Sequence, residues 1–133
     1  MPANVYDNVK SVLALPAKSI TTTTTGSAVD TLGYENAKLS INLGVLDITT
    51  GDETYVLTIT ECATSGGSFV DTGLVLPAIV GGTANNSVVV QRVSGLGTTR
   101  LRYLKVVATL AGTTPIFVGS ATWEFGRALQ NPV

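Results

Sequence analysis

Residues 38–45 alternate strictly: Leu39, Ile41, Leu43 and Val45 on one side, Lys38, Ser40, Asn42 and Gly44 on the other. Period two is the spacing of a half-buried β-strand, because successive side chains leave an extended backbone on opposite faces. The pattern returns along the chain. Residues 54–61 place Tyr55, Leu57 and Ile59 on one face. Residues 101–110 set Leu104, Val106, Ala108 and Leu110 against Tyr103, Lys105, Val107 and Thr109, and in residues 116–125 Phe117, Ala121, Trp123 and Phe125 share a side. No comparably long stretch carries a 3.6-residue period.

Turn chemistry punctuates these runs. Residues 47–52 (DITTGD) suit a turn, since Gly51 tolerates positive φ and the Asp and Thr side chains bond nearby backbone. A hairpin of 38–45 with 54–61 is expected there. Residues 65–68 (SGGS) precede a short piece at 69–70, and 73–86 reads as a long loop with something to lie against. Residues 87–93 form a further strand, and 112–115 (GTTP) turn the chain into its last one. The β-branched run 20–25 favours an exposed strand. Residues 1–17 read as an arm, either one or two helical turns ended by Pro16 or an extended segment on a neighbour. Seven or eight strands with turns between them indicate an all-β fold, a jelly-roll-like antiparallel sandwich with an extended N-terminal arm. An immunoglobulin-like sandwich is the alternative. The domain limits are 1–17 for the arm, 18–126 for the sandwich and 127–133 for a C-terminal tail.

At 133 residues this is one domain. Hydrophobic residues make up 44% against 13% charged, which implies a sparsely charged surface partly covered by partners. No apolar run approaches the roughly 20 residues that a membrane helix needs, and no membrane association is expected. The N-terminus lacks the pattern of a secretory signal, and a lone Cys62 allows no internal disulfide; both fit assembly in a reducing cytosol. Cys62 reads as a small buried hydrophobe.

Catalytic tools are scarce. There is no His, the commonest general base and metal ligand. Asp47, Asp52 and Glu53 surround one turn and offer oxygen ligands of the kind calcium takes, but without EF-hand spacing, so an acidic turn is the expectation and no metal or cofactor is assigned. Gly95-Leu-Gly97 lacks the third glycine or Lys-Ser/Thr step of a phosphate loop. Arg100, Arg102 and Lys105 around Tyr103 resemble a nucleic-acid contact, yet a pI near 5.2 argues against a dedicated binder. No small-molecule substrate is expected either.

Charge is unevenly spread. From Asp30 to Asp71 seven acidic residues stand against Lys38 alone, whereas no acidic residue lies between Asp71 and Glu124, where Arg92, Arg100, Arg102 and Lys105 fall. Such a split suits contact with copies of the chain or with a charged assembly. Arg92, Arg100, Arg102 and Lys105, with Asp47, Asp52 and Glu53, are the candidate subunit or capsid interface. Reversing Arg100 and Arg102 is expected to weaken assembly with the fold intact, and deleting residues 1–15 to leave a folded domain.

Residues 28–47 (AVDTLGYENAKLSINLGVLD), 52–73 (DETYVLTITECATSGGSFVDTG) and 100–121 (RLRYLKVVATLAGTTPIFVGSA) together resemble the cement, or head-decoration, proteins of tailed bacteriophages. The shared features are Val29-Asp30 with Gly33-Tyr34, the strands that follow, Ser68-Phe69-Val70-Asp71 and Arg102-Tyr103-Leu104. The resemblance implies a jelly roll made in the host bacterial cytoplasm that binds the outside of the head, commonly as a homotrimer at three-fold positions, and ties neighbouring major capsid protein subunits together. The rival expectation is a carbohydrate- or receptor-binding sandwich from a tail or fibre, which would need several exposed aromatics on one face.

Overall fold

Leu39, Ile41, Trp123 and Phe125 have no solvent exposure at all, and they lie on neighbouring strands of one layer. That layer is half of a two-sheet sandwich in a computed structural model describing residues 10–80 and 84–128, the side chains of Arg127 and Ala128 excepted. Residues 1–9 of the expected arm, 81–83 of the expected loop and the tail residues 129–133 lie outside that range.

The strands are β1 (Lys10–Ile20), β2 (Thr24–Thr25), β3 (Val29–Asp30), β4 (Tyr34–Leu43), β5 (Thr54–Cys62), β6 (Val70–Asp71), β7 (Val88–Val93), β8 (Tyr103–Ala111) and β9 (Phe117–Ala128). One sheet runs β1-β9-β4-β7. The other runs β2-β8-β5-β6, with β3 also on β8, and all these pairs are antiparallel. Because β2 meets β8 at Ala108 and β3 meets it at Leu104, the two short strands act as one interrupted edge.

The chain changes sheet at nearly every connection; only β5 and β6 are successive partners. This is jelly-roll topology. An immunoglobulin-like sandwich would put its first two strands side by side in one sheet, whereas β1 and β2 lie in different sheets. The sheets close on each other through the period-two faces: Tyr55, Leu57, Ile59, Leu104, Val106 and Ala108 from one, and Leu39, Ile41, Leu43, Phe117, Ala121, Trp123 and Phe125 from the other. Trp123 stacks on Phe125 with ring centroids 5.9 Å apart and planes 14° apart.

Three expectations need correcting. The hairpin of 38–45 with 54–61 does not form, because β4 and β5 lie in opposite sheets. Their connection drops Leu46 into the core at 2% exposure and bonds Asp47 N to Ile116 O, which carries the chain across the sandwich. Strand β4 ends at Leu43, leaving Val45 exposed where the alternation would bury it. Residues 10–20 are not helical: β1 pairs with β9 of its own chain, from Lys10–Phe125 to Ile20–Phe117. Ala14 and Leu15 are buried there, and Pro16 falls within the register shift between Leu15 and Lys18 on an outer strand, where a missing N–H breaks no ladder.

The flanks of the two sheets are aligned. A side chain at Gly26, between β2 and β3, would run into the Ala14 carbonyl of β1, so these edges close one flank. The opposite flank is β6, the loop after it and β7. That loop follows β5: Thr72 N bonds Ile59 O, Ile79 bridges Tyr55, and Leu74, Leu76 and Ile79 pack on the core.

Candidate functional site

The charge split of the sequence does not survive folding as two separate surfaces. Antiparallel pairing of β3 with β8 sets Asp30 opposite Tyr103 and puts Arg102 beside the carboxylate. Arg102 Nε and Nη2 donate to Asp30 Oδ1 and Oδ2, both at 2.8 Å, a two-pronged bridge. It holds the Asp30 carboxyl down at about 2 and pushes the Arg102 guanidinium further up. The guanidinium also sits 5.1 Å from the Tyr103 ring centre.

Arg100 is drawn inward. Its Nη1 donates to Thr72 O at 3.0 Å and stands 3.5 Å from Glu61 Oε2. Glu61 is buried, and its Oε1 accepts a 2.9 Å bond from Leu101 N. One buried carboxylate thus fastens residues 100–101 to the end of β5. On the outer face of the first sheet, Lys38 Nζ lies 3.6 Å from Glu124 Oε1. In each of these three pairs an acidic-half and a basic-half residue, or their neighbours, meet within one molecule.

Lys105 points outward from β8 with its ammonium 4.2 Å from the Phe69 ring centre, a cation–π contact that folds the 63–69 turn over the sheet. Arg92, outward on β7, is exposed and has no ion-pair partner among the described residues. With Lys38, Glu124, Asn36, Ser94 and Gly126 it rims a hollow of about 500 Å³.

Asp47, Asp52 and Glu53 gather at the other end of the sandwich, one β5 length from Arg100 and Arg102, or about 30 Å. Each is engaged by nearby backbone. Asp47 Oδ1 accepts from Thr49 N and Oγ1, Glu53 from Thr50 N and Gly51 N, and Asp52 from Thr113 N and Oγ1. The bonds from Thr49 and Thr113 hold Asp47 and Asp52 below their ordinary value. The Asp52–Thr113 pair fastens the β4–β5 connection to the β8–β9 turn. Among the described residues, no three His, Cys, Asp or Glu side chains gather as a metal-binding group.

The seven expected interface residues therefore do not form one patch. Arg100, Arg102 and the three carboxylates brace loops at the two ends, Lys105 faces outward from one sheet and Arg92 from the other. Cys62 is buried with its Sγ near Thr64, as a small hydrophobe.

The composition implies a sparsely charged surface without placing it, and the structure puts its apolar part on particular side chains. Val45, Ile48, Val56, Val75, Val80 and Val88 are between 46% and 90% exposed. Among the described residues aromatics take no part in it: Tyr55, Phe117, Trp123 and Phe125 are buried, and Tyr34, Phe69 and Tyr103 are half-buried. Of the exposed aliphatics, Val75 and Val80 fall in the stretch 73–86 that reads as a loop, where no alternation marks which side chains face out. No family model matches the chain, and no curated protein matches it in sequence.

Proposed function

We propose that this chain is a structural protein of a tailed-phage head, binding the outside of the capsid and holding major capsid protein subunits together without chemistry of its own. The observation that carries this is the sandwich's charge-poor exterior, where large aliphatic side chains stand in water in numbers a lone soluble domain has little reason to keep. Burial of that surface supplies the driving force of attachment. The jelly-roll strand order supports the reading further, since the resemblance implies that architecture. Half-buried and buried aromatics fit poorly with a sugar-binding platform.

Three copies around a three-fold is the bound stoichiometry that the resemblance implies. The charges that would close such a ring head to tail are largely taken up inside each molecule, so apolar contact has to provide most of the cohesion. Gradient co-sedimentation with undecorated heads of the encoding phage tests the function. Saturable attachment that raises the heads' resistance to heat supports it. Chains that stay at the top of the gradient refute it.

A further inference from the structure

The sandwich has four edge positions, and three are blunted. Strand β1 is interrupted by Pro16 and two register shifts and carries Lys10 and Lys18. The β2–β3 edge is broken at residues 26–28, and β6 is two residues long. These are the usual devices that stop a sheet edge from recruiting another strand. Strand β7 has none of them. It runs Val88–Val93 in unbroken register with β4 and bears one charge, Arg92.

Register fixes which way its backbone faces. Leu43 N bonds Ser87 O, so the 43–87 pair is hydrogen-bonded, and so are 41–89, 39–91 and 37–93 by the alternation of an antiparallel ladder. The N–H and C=O groups of Val88, Val90 and Arg92 then point away from β4, into the open edge. The Arg92 carbonyl already takes a 3.0 Å bond from the Gln91 side-chain amide, which leaves its second lone pair available.

We propose that β7 is a self-pairing edge: two copies of the chain join antiparallel through β7 across a two-fold axis at Val90, merging their four-stranded sheets into one of eight. Side chains favour the strand's own image over an arbitrary strand. With Val90 opposite Val90, Val88 faces the aliphatic stem of Arg92 in the other copy and Val89 faces Gln91. The three residues with free backbone groups meet three such residues. No two like charges stand directly opposite, because Arg92 is displaced from its twin by four strand positions. A six-residue ladder alone buries less than the roughly 1,200 Å² that a stable interface needs. The same flank supplies the rest: Val70, Val75 and Val80, exposed by 56%, 90% and 58%, lie along the β6 side next to β7 and meet their counterparts when the sheets join. The inference does not depend on the phage reading; it holds for the free chain.

Sedimentation velocity on the full chain across a concentration series tests it, paired with amide hydrogen exchange. The expected species is twice 13.7 kDa, with the Val88, Val90 and Arg92 amides protected at high concentration and exchanging freely on dilution. Val90→Pro removes an N–H that bonds nothing among the described residues of the monomer, so it should abolish the dimer while the melting temperature of the monomer holds. Val90→Lys, which keeps the N–H but sets two ammonium groups together on the axis, should do the same. A chain that stays monomeric, a trimer, or a dimer that survives both substitutions overturns the proposal.

Discussion

Replacing Arg100 should unfold more than it disconnects. Glu61 is a carboxylate with 10% of its side chain exposed; its charge is met by Arg100, whose own side chain is 21% exposed, and by the N–H of Leu101. Removing one partner of a buried pair costs about 3–5 kcal/mol, since the other charge stays desolvated. Here the ion-pair distance is 3.5 Å and water reaches part of the guanidinium, so Arg100→Ala should cost about 2–3 kcal/mol. Arg100→Glu places a second carboxylate beside the first and should cost at least as much again. For a domain of this size about 1 kcal/mol corresponds to roughly 4 °C, so the alanine variant should melt roughly 8–12 °C lower. Calorimetry at neutral pH reads this directly. Adding Glu61→Gln to Arg100→Ala should restore part of the loss, because the amide oxygen still accepts from Leu101 N while the uncompensated charge is gone. An Arg100→Glu protein melting within about 2 °C of the parent, at the size of a surface-pair effect, would refute the buried-pair account.

Deleting residues 1–15 should abolish cooperative unfolding rather than leave a domain intact: it removes the β1 partners of residues 121–125 and the buried Ala14 and Leu15, of which Leu15 alone is worth about 2 kcal/mol. Circular dichroism melts check this, and a sharp transition in the truncated chain would mean that β1 is dispensable. Stability should also fall in acid. Asp30, at about 2 when folded against 3.8 for the free group, adds stability that is complete above pH 4 or so and is lost as pH drops towards 2. Asp47 and Asp52 are lowered too and act in the same direction. With the Asp30 side chain 42% exposed, its share is under about 1 kcal/mol. Melting temperatures across that range should decline less in Asp30→Asn; an identical decline would remove the Arg102 bridge as a cause.

Alternation made the strands legible before any coordinates. Tyr55, Leu57 and Ile59, or Leu104 and Val106, are buried as a period of two requires, because the long strands β4, β5 and β8 each have one face on the core. Sheet membership was not legible, since a turn-forming sequence such as 47–52 serves equally to reverse a strand and to carry it to the other layer. Leu46, an apolar residue inside that connection, was the clue to the crossing. Pro16 misled because a proline that ends a helix is equally at home in an outer strand. The candidate site fared least well. Linear sequence separates Asp30 from Arg102 and Glu61 from Arg100, and only the β3–β8 and β5–β8 pairings reveal that these charges are for one another. The exposed valines around β7 carry no motif at all; their meaning comes from which strand is left at an edge.

The position of β9 has a bearing on how the chain is made. It lies between β1 and β4, so two of the earlier described strands both wait for residues 117–128, the last of the described strands. Until then β1 lacks its partner and β4 has only β7, and the tryptophan that fills the core is still unsynthesised. Folding is therefore slow for a sandwich of this size, governed by contacts far apart in sequence. During that wait β4 and β1 offer open edges to any other nascent chain nearby, so dense synthesis on one message favours mispairing between copies. Low temperature and modest expression, which thin out these unfinished neighbours, are the conditions under which this chain should be recovered in native form.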